Sequence, residues 1–520
     1  MTERGIVAAG HRRTAEAAEE ILLAGGNAFD AALAGMCAAC AAEPMLCSLG
    51  GGGFLVGRRG REAPIAYDFF VQTPMQRPVG ESDFREVSVN FGTVTQSFHI
   101  GLGAIATPGV VRGLFEVHRD LGSMPIREIV APAIEIAKNG VEVCDFLDYV
   151  FRVVEPIFMA SEASRAIYSS PKDSQRLIGS GERLFQPDLA ETLDALAHEG
   201  DDLFYRGEIA AAIDRQSREG GGCLRREDLE AYRVERRNPL SVRYRDAEIW
   251  TNPPPTSGGL LIVFALKLLA AVKNPQQFDF GSAEQLKLMA HVLRSSSRAR
   301  IEATLADSSY IDQAALFGPE LLERYRTEVR DRAEVLRGTT SLSVIDAQEN
   351  VVSLTLSSGE GCGEIVPGTG LMLNNMLGED DLVPQGFHRW PMNERMTSMM
   401  APTFMHFRDG RTVATGSGGS KRIRTAVLHT LMNLIDYGSS VEEAVTRPRI
   451  FMDHDFLHVE GGFATPEVEQ LVADYRDYQV WDDLNLFFGG AHTVERRGIH
   501  FEGAGDPRRR GACRIARSGG

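Results

Sequence analysis

The sequence contains no apolar run long enough to cross a membrane. Its longest run, residues 31–42, is rich in Ala and Cys and has about a dozen residues, whereas a membrane-spanning helix needs about 20. The opening stretch, MTERGIVAAGHRRTAEAAEE, turns acidic where a signal peptide carries its apolar core. We therefore expect a cytoplasmic protein that does not associate with membranes.

Cysteine is also scarce, with seven residues in a chain of 520. This odd, sparse usage argues against a disulfide framework and fits reduced thiols. Cys37 and Cys40 form a CxxC motif on an apolar helical stretch, without a second pair or a nearby His. We expect buried core thiols, and a metal or redox site is the alternative that the motif leaves open.

Positive charge is in deficit, because 55 Lys and Arg face 71 Asp and Glu and give a formal net charge of −16. This balance argues against a general nucleic-acid or anionic-membrane surface. A content of 43% hydrophobic and 24% charged residues excludes a disordered chain. Composition alone predicts a globular protein of roughly two to four domain-sized units with mixed α and β structure.

The local sequence patterns differ between the first part of the chain and the part that begins at Thr339. The strand-like GIVAAG is followed by a helical hairpin, with helices over Thr14–Ala24 and from about Phe29. The glycines at 50–53 precede a strand at 64–70, and no helix with Lys-Ser or Lys-Thr follows, which argues against a phosphate loop. The pattern is mostly helical over 109–337. From Thr339 two β-branched runs around a polar turn predict a β-hairpin.

A second strand-to-helix junction lies late in the chain. The strand Thr412–Thr415 leads through Gly416-Ser417-Gly418-Gly419-Ser420 into a helix predicted over Ile423–Tyr437. Backbone N–H groups at the start of a helix have no partner within the helix, so they can hold a carboxylate or an oxyanion. We expect the C-terminal tail, 506–520 with its Arg508-Arg509-Arg510, to be solvated or to lie between subunits.

An ordered set of motifs runs along nearly the whole chain. In the first two thirds these are GIVAAGHRRTAEAAEEILLAGGNAFDAALA, LGGGGFLV, ATPGVVRG and NPPPTSGG. In the last third they are TTSLSVIDAQENVVSLT, GLMLNN, RMTSMMAPT, the 416–420 loop, IDYG, PRIF and GDPRRRG. In this order they resemble the gamma-glutamyltransferase family of N-terminal nucleophile hydrolases. The resemblance implies an α+β fold, a four-layer αββα sandwich with a helical large-subunit region. It also implies one intertwined unit of two chains, 1–338 and 339–520, produced by self-cleavage.

The resemblance implies that Thr339 is the nucleophile and that the chain cleaves itself between Gly338 and Thr339. A Thr hydroxyl needs a base beside it, and an N-terminal Thr supplies its own α-amine. Such an amine has a pKa of roughly 7.7 to 8.0, close to neutral. Ser357, 18 residues after Thr339, stands where the family places an assisting hydroxyl. The oxyanion donors are the N–H groups of Gly418 and Gly419 or of Gly419 and Ser420.

Substrate-contact positions depart from the family pattern. Phe70 follows Asp68-Phe69, where the glutamyl-transferring members carry an Arg that clamps the α-carboxylate. The hydroxyls that bind the same carboxylate are retained as Thr397 and Ser398. Among the other polar positions of the family, Asn375 is kept, and an acidic residue remains near the family's amine-binding Asp, at Glu379. Gly359 and Ser341 stand where the family has an Asn and a His. Met376, Met399 and Met400 could line an apolar acyl pocket, with core packing as the alternative.

These residues predict a self-cleaving amidohydrolase or acyltransferase that acts on a small-molecule amide with altered acyl specificity. The first alternative is a true γ-glutamyl hydrolase or transferase of glutathione-like substrates, in which Arg422 or Arg395 replaces the clamp. The second is an uncleaved binding protein. We expect no cofactor and no metal, although Asp453-His454-Asp455 with His458 and Glu460 leaves zinc open, and we expect Glu394-Arg395 to pair at the surface. The two cleavage products would associate, and a dimer of this pair is an open alternative.

Overall fold

The computed structural model describes residues 2–90, 95–272, 278–303, 311–318, 338–383, 385–453 and 455–519. Twenty-four strands are assigned in this part of the chain. In chain order they are β1 Thr2–Ala9, β2 Gly52–Arg58, β3 Ile65–Phe69, β4 Arg85–Asn90, β5 Thr95–Ile100, β6 Val141–Glu142, β7 Ser169–Ser170, β8 Asp173–Leu177, β9 Arg183–Leu184, β10 Glu235–Arg237, β11 Leu240–Tyr244, β12 Ala247–Thr251, β13 Thr340–Asp346, β14 Val351–Ser357, β15 Ile365–Val366, β16 Leu371–Met372, β17 Thr403–Phe407, β18 Thr412–Gly418, β19 Ile450–Asp453, β20 Phe456–Val459, β21 Tyr478–Val480, β22 Gly490–Arg497, β23 His500–Ala504 and β24 Ala512–Ser518.

Helices fill most of the sequence between these strands. In chain order they are α1 Arg12–Leu23, α2 Ala28–Ala42, α3 Val110–Leu121, α4 Ile126–Asn139, α5 Asp145–Val153, α6 Glu155–Phe158, α7 Glu162–Tyr168, α8 Pro187–Glu199, α9 Asp202–Tyr205, α10 Glu208–Glu219, α11 Arg226–Ala231, α12 Ser257–Ala270, α13 Ala283–Ala303, α14 Gln313–Phe317, α15 Arg422–Ile435, α16 Val441–Thr446 and α17 Thr465–Val472. Short 3₁₀ turns occupy Leu102–Ala104, Met376–Gly378, Leu486–Phe488 and Pro507–Arg509. The predicted helical region over 109–337 is helical through most of its described part, and its last residues, 319–337, lie outside the described ranges.

Two stacked sheets form the centre, and helices cover both outer faces, as the αββα prediction requires. The first sheet has seven strands in the order β10-β3-β2-β14-β13-β1-β24, and the second has six in the order β11-β12-β17-β18-β22-β23. Helices α1 and α2 pack on the first sheet, and α12, α15 and α16 pack on the second. Strands from both sides of residue 338 alternate within the first sheet, so the two segments form one structural unit.

Apolar side chains from alternating strand positions form the core between the sheets, because successive residues of a strand point to opposite faces. These residues are Ile6, Ala8, Val56, Ala66, Ile345, Val351, Phe404, Ala414 and Val494. Larger apolar clusters fill the two interfaces between the sheets and the helices. The layers therefore hold the central strands between two apolar surfaces, which fixes their register.

Strand β13 lies in the middle of the first sheet, and its register sets the geometry of the site. It pairs antiparallel with β14, with Thr340 opposite Leu356, and antiparallel with β1 on its other side. This pairing brings Thr339 level with Ser357 at the open end of the hairpin. The predicted hairpin is thus confirmed, and its ends bring the two hydroxyl residues together.

Helix α2 is buried along its whole length, which its composition of small residues permits. Asn27 caps it, accepting from the N–H groups of Phe29 and Asp30, and the Asp30 carboxylate accepts the Asn27 N–H in return. Cys37 and Cys40 lie on this helix and are fully packed. Burial raises the pKa of the Cys37 thiol, which keeps it in the neutral form.

The C-terminal tail differs from the expectation of a solvated or inter-subunit segment. Strand β24 pairs antiparallel with β1 at the edge of the first sheet, and the side chains of Arg508 and Arg509 are buried. Buried carboxylates explain the difference, because Arg508 is held by Glu460 and Asp506 at 2.6 and 3.2 Å. Charge runs are solvated only where no buried partner is present.

No helix in the described ranges is both long enough and apolar enough to span a membrane.

We expect Asp346→Ala to lower the free energy of unfolding by about 3 kcal/mol, because its carboxylate caps both α2 and the β13–β14 turn. The buried carboxylate accepts from the N–H groups of Ala28, Gln348 and Asn350 and from the Asn350 amide. Asp409→Ala is the matched control, since Asp409 occupies the exposed β17–β18 turn. Urea unfolding of both variants measures the difference, and equal losses would contradict this account.

Candidate active site

The carbonyl oxygen of Gly338 receives two hydroxyl groups at the open end of the β13–β14 hairpin. Thr339 Oγ1 donates to it over 2.7 Å, and Ser357 Oγ donates to it over 2.9 Å. Both side chains are buried. The nucleophile and the assisting hydroxyl predicted from the sequence therefore meet on the peptide bond predicted to be cleaved.

The chain around Gly338 has no room for a side chain. A Cβ at this position would lie 2.9 Å from the Gly359 carbonyl and 3.0 Å from the Met45 carbonyl. The Gly338 N–H donates to Glu360 Oε1 over 3.2 Å. Backbone atoms on two sides and a carboxylate on a third thus fix Gly338, the residue before the predicted cleavage point.

The loop after β18 supplies the candidate oxyanion donors. Gly419 and Ser420 have φ values of 124° and 53°, and their carbonyls accept the N–H groups of Arg422 and Ile423 at the start of α15. In the described part of the chain, the N–H groups of Gly419 and Ser420 have no acceptor. Ser420 lines the same pocket as Thr339. The two residues after β18 thus offer N–H groups beside the pocket, and the choice between the two predicted donor registers stays a prediction.

Gly418, the last residue of β18, lies against the backbone of Thr339. A Cβ at Gly418 would lie 2.1 Å from the Thr339 carbonyl oxygen. Strand β18 therefore approaches the nucleophile through a residue without a side chain. Only a glycine allows the two sheets to come this close at Thr339.

A pocket of about 530 Å³, counting its solvent-open space, lies beside Thr339. It brings together most of the predicted substrate-contact residues. Its lining residues are Phe70, Ser257, Arg300, Gly338, Thr339, Ser357, Met376, Glu379, Asp381, Leu382, Thr397, Ser398, Met399, Met400, Ser420 and Ile423. The three methionines face this pocket, as the acyl-pocket interpretation predicts.

Asn375 lies behind the pocket wall. Its Oδ1 accepts the Glu360 N–H over 3.0 Å, and its Nδ2 donates to the His99 carbonyl over 3.3 Å. It holds the turn that carries Glu360. The structure therefore gives Asn375 a supporting position, while its neighbour Glu379 lines the pocket itself.

Glu379 occupies space next to Gly359. A Cβ at Gly359 would lie 2.2 Å from Asn375 Oδ1 and 2.3 Å from Glu379 Oε1. The φ of Gly359 is 66°, which disfavours residues with a Cβ. Gly359 therefore leaves the space that the Glu379 carboxylate occupies.

The apolar side chain of Phe70 stands where the resemblance leads us to expect a cation. Its ring stacks on Phe54 with the centroids 5.1 Å apart. Arg395, one of the two proposed replacements, donates from Nη1 to the Phe70 carbonyl and to the Tyr232 hydroxyl. Its Nε lies 3.6 Å from Asp68 Oδ1. Arg395 is thus buried behind the pocket wall, so the expectation of a surface pair with Glu394 is wrong.

Arg422, the other proposed replacement, is also directed away from the pocket. Its Nε donates to the Phe487 carbonyl over 3.1 Å, and its guanidinium lies over the Phe487 ring. Among the described lining residues the cation is instead Arg300, on α13. Burial lowers the pKa of Arg300, and the nearby carboxylates of Asp381 and Asp453 oppose that shift.

Two further residues near the nucleophile were missed in the sequence. Glu43, directly after α2, accepts from Thr14 Oγ1 and from Thr340 Oγ1, each over 2.9 Å. Arg509 donates from Nη1 to the Thr339 carbonyl over 2.9 Å. Their sequence positions, at a helix end and inside an Arg run, carry no local signal of this role. Thr340 is accordingly more than an ordinary strand residue, because its hydroxyl binds a buried carboxyl group.

The acidic and histidine cluster that left zinc open is engaged in ion pairs. Asp455 lies 3.2 Å from Arg294 and 3.8 Å from Arg298, and Glu460 pairs with Arg508. His454 lies outside the described residues. Across the described ranges no group of three or more His, Cys, Asp or Glu side chains is arranged to hold a metal ion.

The sequence matches one protein family along most of its length. Residues 14–516 match the profile of the family described as Gamma-glutamyltranspeptidase. The chain is 30% identical to the Glutathione hydrolase proenzyme of Escherichia coli, covering 91% of this chain and 85% of that protein. It is also 30% identical to the Acylase ACY 1 proenzyme of Pseudomonas sp. (strain V22), covering 90% and 86%.

A solved structure shares the fold across the whole chain. Cephalosporin acylase from Bacillus halodurans superposes with a TM-score of 0.83 at 23% identity, covering 99% of this chain and 96% of that one. This likeness confirms the predicted fold, a sandwich of two stacked sheets between helical layers.

We expect Glu43→Gln to remove a pH dependence of stability. Burial raises the pKa of Glu43 from 4.5 to about 7, so folding favours its protonated form. That contribution is fully present below pH 4.5 and is lost as the pH rises to about 7. Between these pH values, the free energy of unfolding of the Thr339→Ala variant should fall by about 3 kcal/mol more than that of the double variant Thr339→Ala with Glu43→Gln. Urea titrations at several pH values measure these free energies. The same pH dependence in both proteins would contradict the expectation.

Proposed function

Because this chain belongs to the gamma-glutamyltranspeptidase family, we propose that it cleaves itself between Gly338 and Thr339 and then acts through an acyl ester on Thr339. The family makes it an N-terminal nucleophile hydrolase that hydrolyses amide bonds or transfers acyl groups. The observation that carries the proposal is the convergence of the Thr339 and Ser357 hydroxyls on the Gly338 carbonyl. Relatives named as proenzymes support processing.

Self-cleavage follows as an acyl shift from nitrogen to oxygen. Thr339 Oγ1 attacks the Gly338 carbonyl carbon, the C–N bond breaks, and the Thr339 nitrogen leaves as an amine that takes up the hydroxyl proton. Water then hydrolyses the ester and leaves a Gly338 carboxylate. Ser357, which donates to the same carbonyl oxygen, stabilises the charge that develops there.

The mature reaction uses the same atoms on an external amide. The freed α-amine accepts the Thr339 hydroxyl proton, and Oγ1 attacks the substrate carbonyl. The N–H groups of Gly419 and Ser420 hold the oxyanion, and each such donor contributes roughly 2.7 to 4 kcal/mol. The amine component leaves with the proton, and water or an acceptor amine then takes the acyl group from Thr339.

Acyl specificity follows from the pocket wall. Phe70 and the methionines offer apolar surface, and the adjacent Arg395 is already bound to Phe70, Tyr232 and Asp68. A substrate α-carboxylate would therefore lose water without gaining a bidentate partner at this wall. We propose an acyl group without the α-amino acid end of glutamate, as the acylase relatives also suggest.

Arg300 favours a second candidate, a true γ-glutamyl hydrolase or transferase. Arg300 lines the pocket from α13, whereas the missing clamp would stand at position 70, after β3. Arg300 also lies near Asp381. In that case Arg300 would hold the α-carboxylate, and Glu379 or Asp381 the α-ammonium. Relatives named glutathione hydrolases give this candidate its substrate class.

We expect the purified protein to consist of two chains, the smaller beginning Thr339-Thr340-Ser341. Denaturing mass spectrometry with N-terminal sequencing measures this. Thr339→Ala should remain a single chain because it lacks the attacking hydroxyl, whereas Thr339→Ser should still cleave. A wild-type chain that stays intact on prolonged incubation would overturn the proposal and favour an uncleaved binding protein.

We expect kcat/KM for butyryl-p-nitroanilide to exceed that for γ-glutamyl-p-nitroanilide at least tenfold, about 1.4 kcal/mol in transition-state stabilisation. Phe70→Arg should narrow or reverse this preference, and Phe70→Leu, which stays apolar, should retain it. A γ-glutamyl preference that disappears in Arg300→Gln would instead establish the second candidate.

A further inference from the structure

A buried arginine touches the nucleophile residue from the side opposite the pocket. Arg509 ends the 3₁₀ turn at Pro507–Arg509, just before β24, and its side chain is 5% exposed. Its Nη1 donates to the backbone carbonyl of Thr339 over 2.9 Å. The contact lies on the residue that carries both the attacking hydroxyl and the future α-amine.

Three glycines make the space that this guanidinium occupies. A Cβ at Gly418 would lie 2.9 Å from Arg509 Nη1, and one at Gly419 would lie 3.3 Å from Nη2. A Cβ at Gly490, on the neighbouring strand β22, would lie 2.4 Å from Arg509 Cδ. The end of the second sheet is therefore shaped around the arginine, and the oxyanion loop rests against it.

In the described part of the chain Arg509 forms no ion pair within 4.0 Å, although the Asp506 and Glu43 carboxylates lie near enough to raise its pKa against the effect of burial. Asp506 is held by Arg449 and Arg508 at 2.7 and 3.2 Å. Burial lowers the pKa of Arg509 to about 10, so the guanidinium stays protonated at neutral pH.

Other charged and titratable groups surround the same point. Glu43 accepts a hydrogen bond from Thr340, the residue after Thr339. Burial raises the pKa of Glu43 to about 7, which reduces its negative charge at neutral pH. The full set comprises Glu43, Glu360, Arg449, His492 and Asp506 on the protein side, and Arg300, Glu379 and Asp381 on the pocket side. Arg509 is the member of this set that hydrogen-bonds to Thr339 itself.

We propose that Arg509 is a positioning residue that fixes Thr339 against the oxyanion loop and holds the Thr339 α-amine in its neutral, proton-accepting form. The inference rests on the proposed self-cleavage. A nearby cation disfavours an ammonium on the same residue. The bond to the Thr339 carbonyl also keeps Oγ1 on the Gly338 carbonyl before cleavage and at the substrate carbonyl afterwards.

The test compares Arg509→Met and Arg509→Lys with Arg510→Met. Arg510 is the matched control, because it is the next residue of the same turn and its exposed side chain pairs with exposed Asp145. The first readout is the rate of chain cleavage, followed by mass spectrometry. The second is the pKa of the Thr339 α-amine in the mature protein, measured from the pH dependence of N-terminal acetylation by acetic anhydride.

We expect Arg509→Met to slow chain cleavage at least tenfold and to raise the amine pKa by about one unit. Arg509→Lys keeps the charge but loses the planar fork, so its amine pKa should stay within 0.3 or so of wild type while cleavage slows about threefold. Arg510→Met should change neither quantity.

Two results would overturn the proposal while leaving self-cleavage intact. One is wild-type cleavage and amine pKa in Arg509→Met. The other is an amine pKa in Arg509→Lys that rises by a full unit, which also decides the question if Arg509→Met does not fold. A wild-type chain that never cleaves would instead remove the proposed function on which the inference rests.

Discussion

The candidate site depends on one constraint, the register of β13 against β14, which places two hydroxyl groups on the carbonyl of Gly338. Thr339 and Ser357 reach that oxygen because the β13–β14 register sets Thr340 opposite Leu356. A slip of one residue in this pairing would turn the hydroxyls to opposite faces of the sheet. The apolar layers on both sides of the first sheet hold this register, so the core of the fold and the chemistry of the site share one constraint.

Buried charge shapes the region around this contact. Arg449, Arg508, Asp506 and Glu460 form an interior network that ties the tail to the two ends of the β19–β20 hairpin. Removing one member of such a network leaves its partner charged and unpaired, which is strongly destabilising. The network holds the 3₁₀ turn from which Arg509 reaches Thr339, so the tail contributes directly to the position of the nucleophile.

The proposed mechanism and the proposed acyl specificity rest on different parts of the pocket. The mechanism rests on Thr339, Ser357 and the 418–420 loop, where the residue types that the resemblance implies are retained. The specificity rests on the wall at Phe70, where the residues depart from the family pattern. Phe70 stacks on Phe54 and Arg395 binds behind it, while Gly359 leaves room for the Glu379 carboxylate. These contacts leave the pocket wall at Phe70 apolar, which is the basis of the proposed acyl preference.

The sequence by itself determined the hairpin at Thr339, the strand and helix around Gly418 and the alternating strand pattern, whereas the proposed roles of the Thr339 and Ser357 hydroxyls rest on the family resemblance. Periodicity and turn chemistry are local, so they can be read from neighbouring residues. The tertiary structure alone decided that Arg395 lies behind Phe70, that Arg300 enters the pocket, and that Glu43 and Arg509 flank the nucleophile. These contacts join residues up to 325 positions apart, as Phe70 and Arg395 do. Burial and charge pairing across such distances depend on how the layers pack, and no local pattern encodes them.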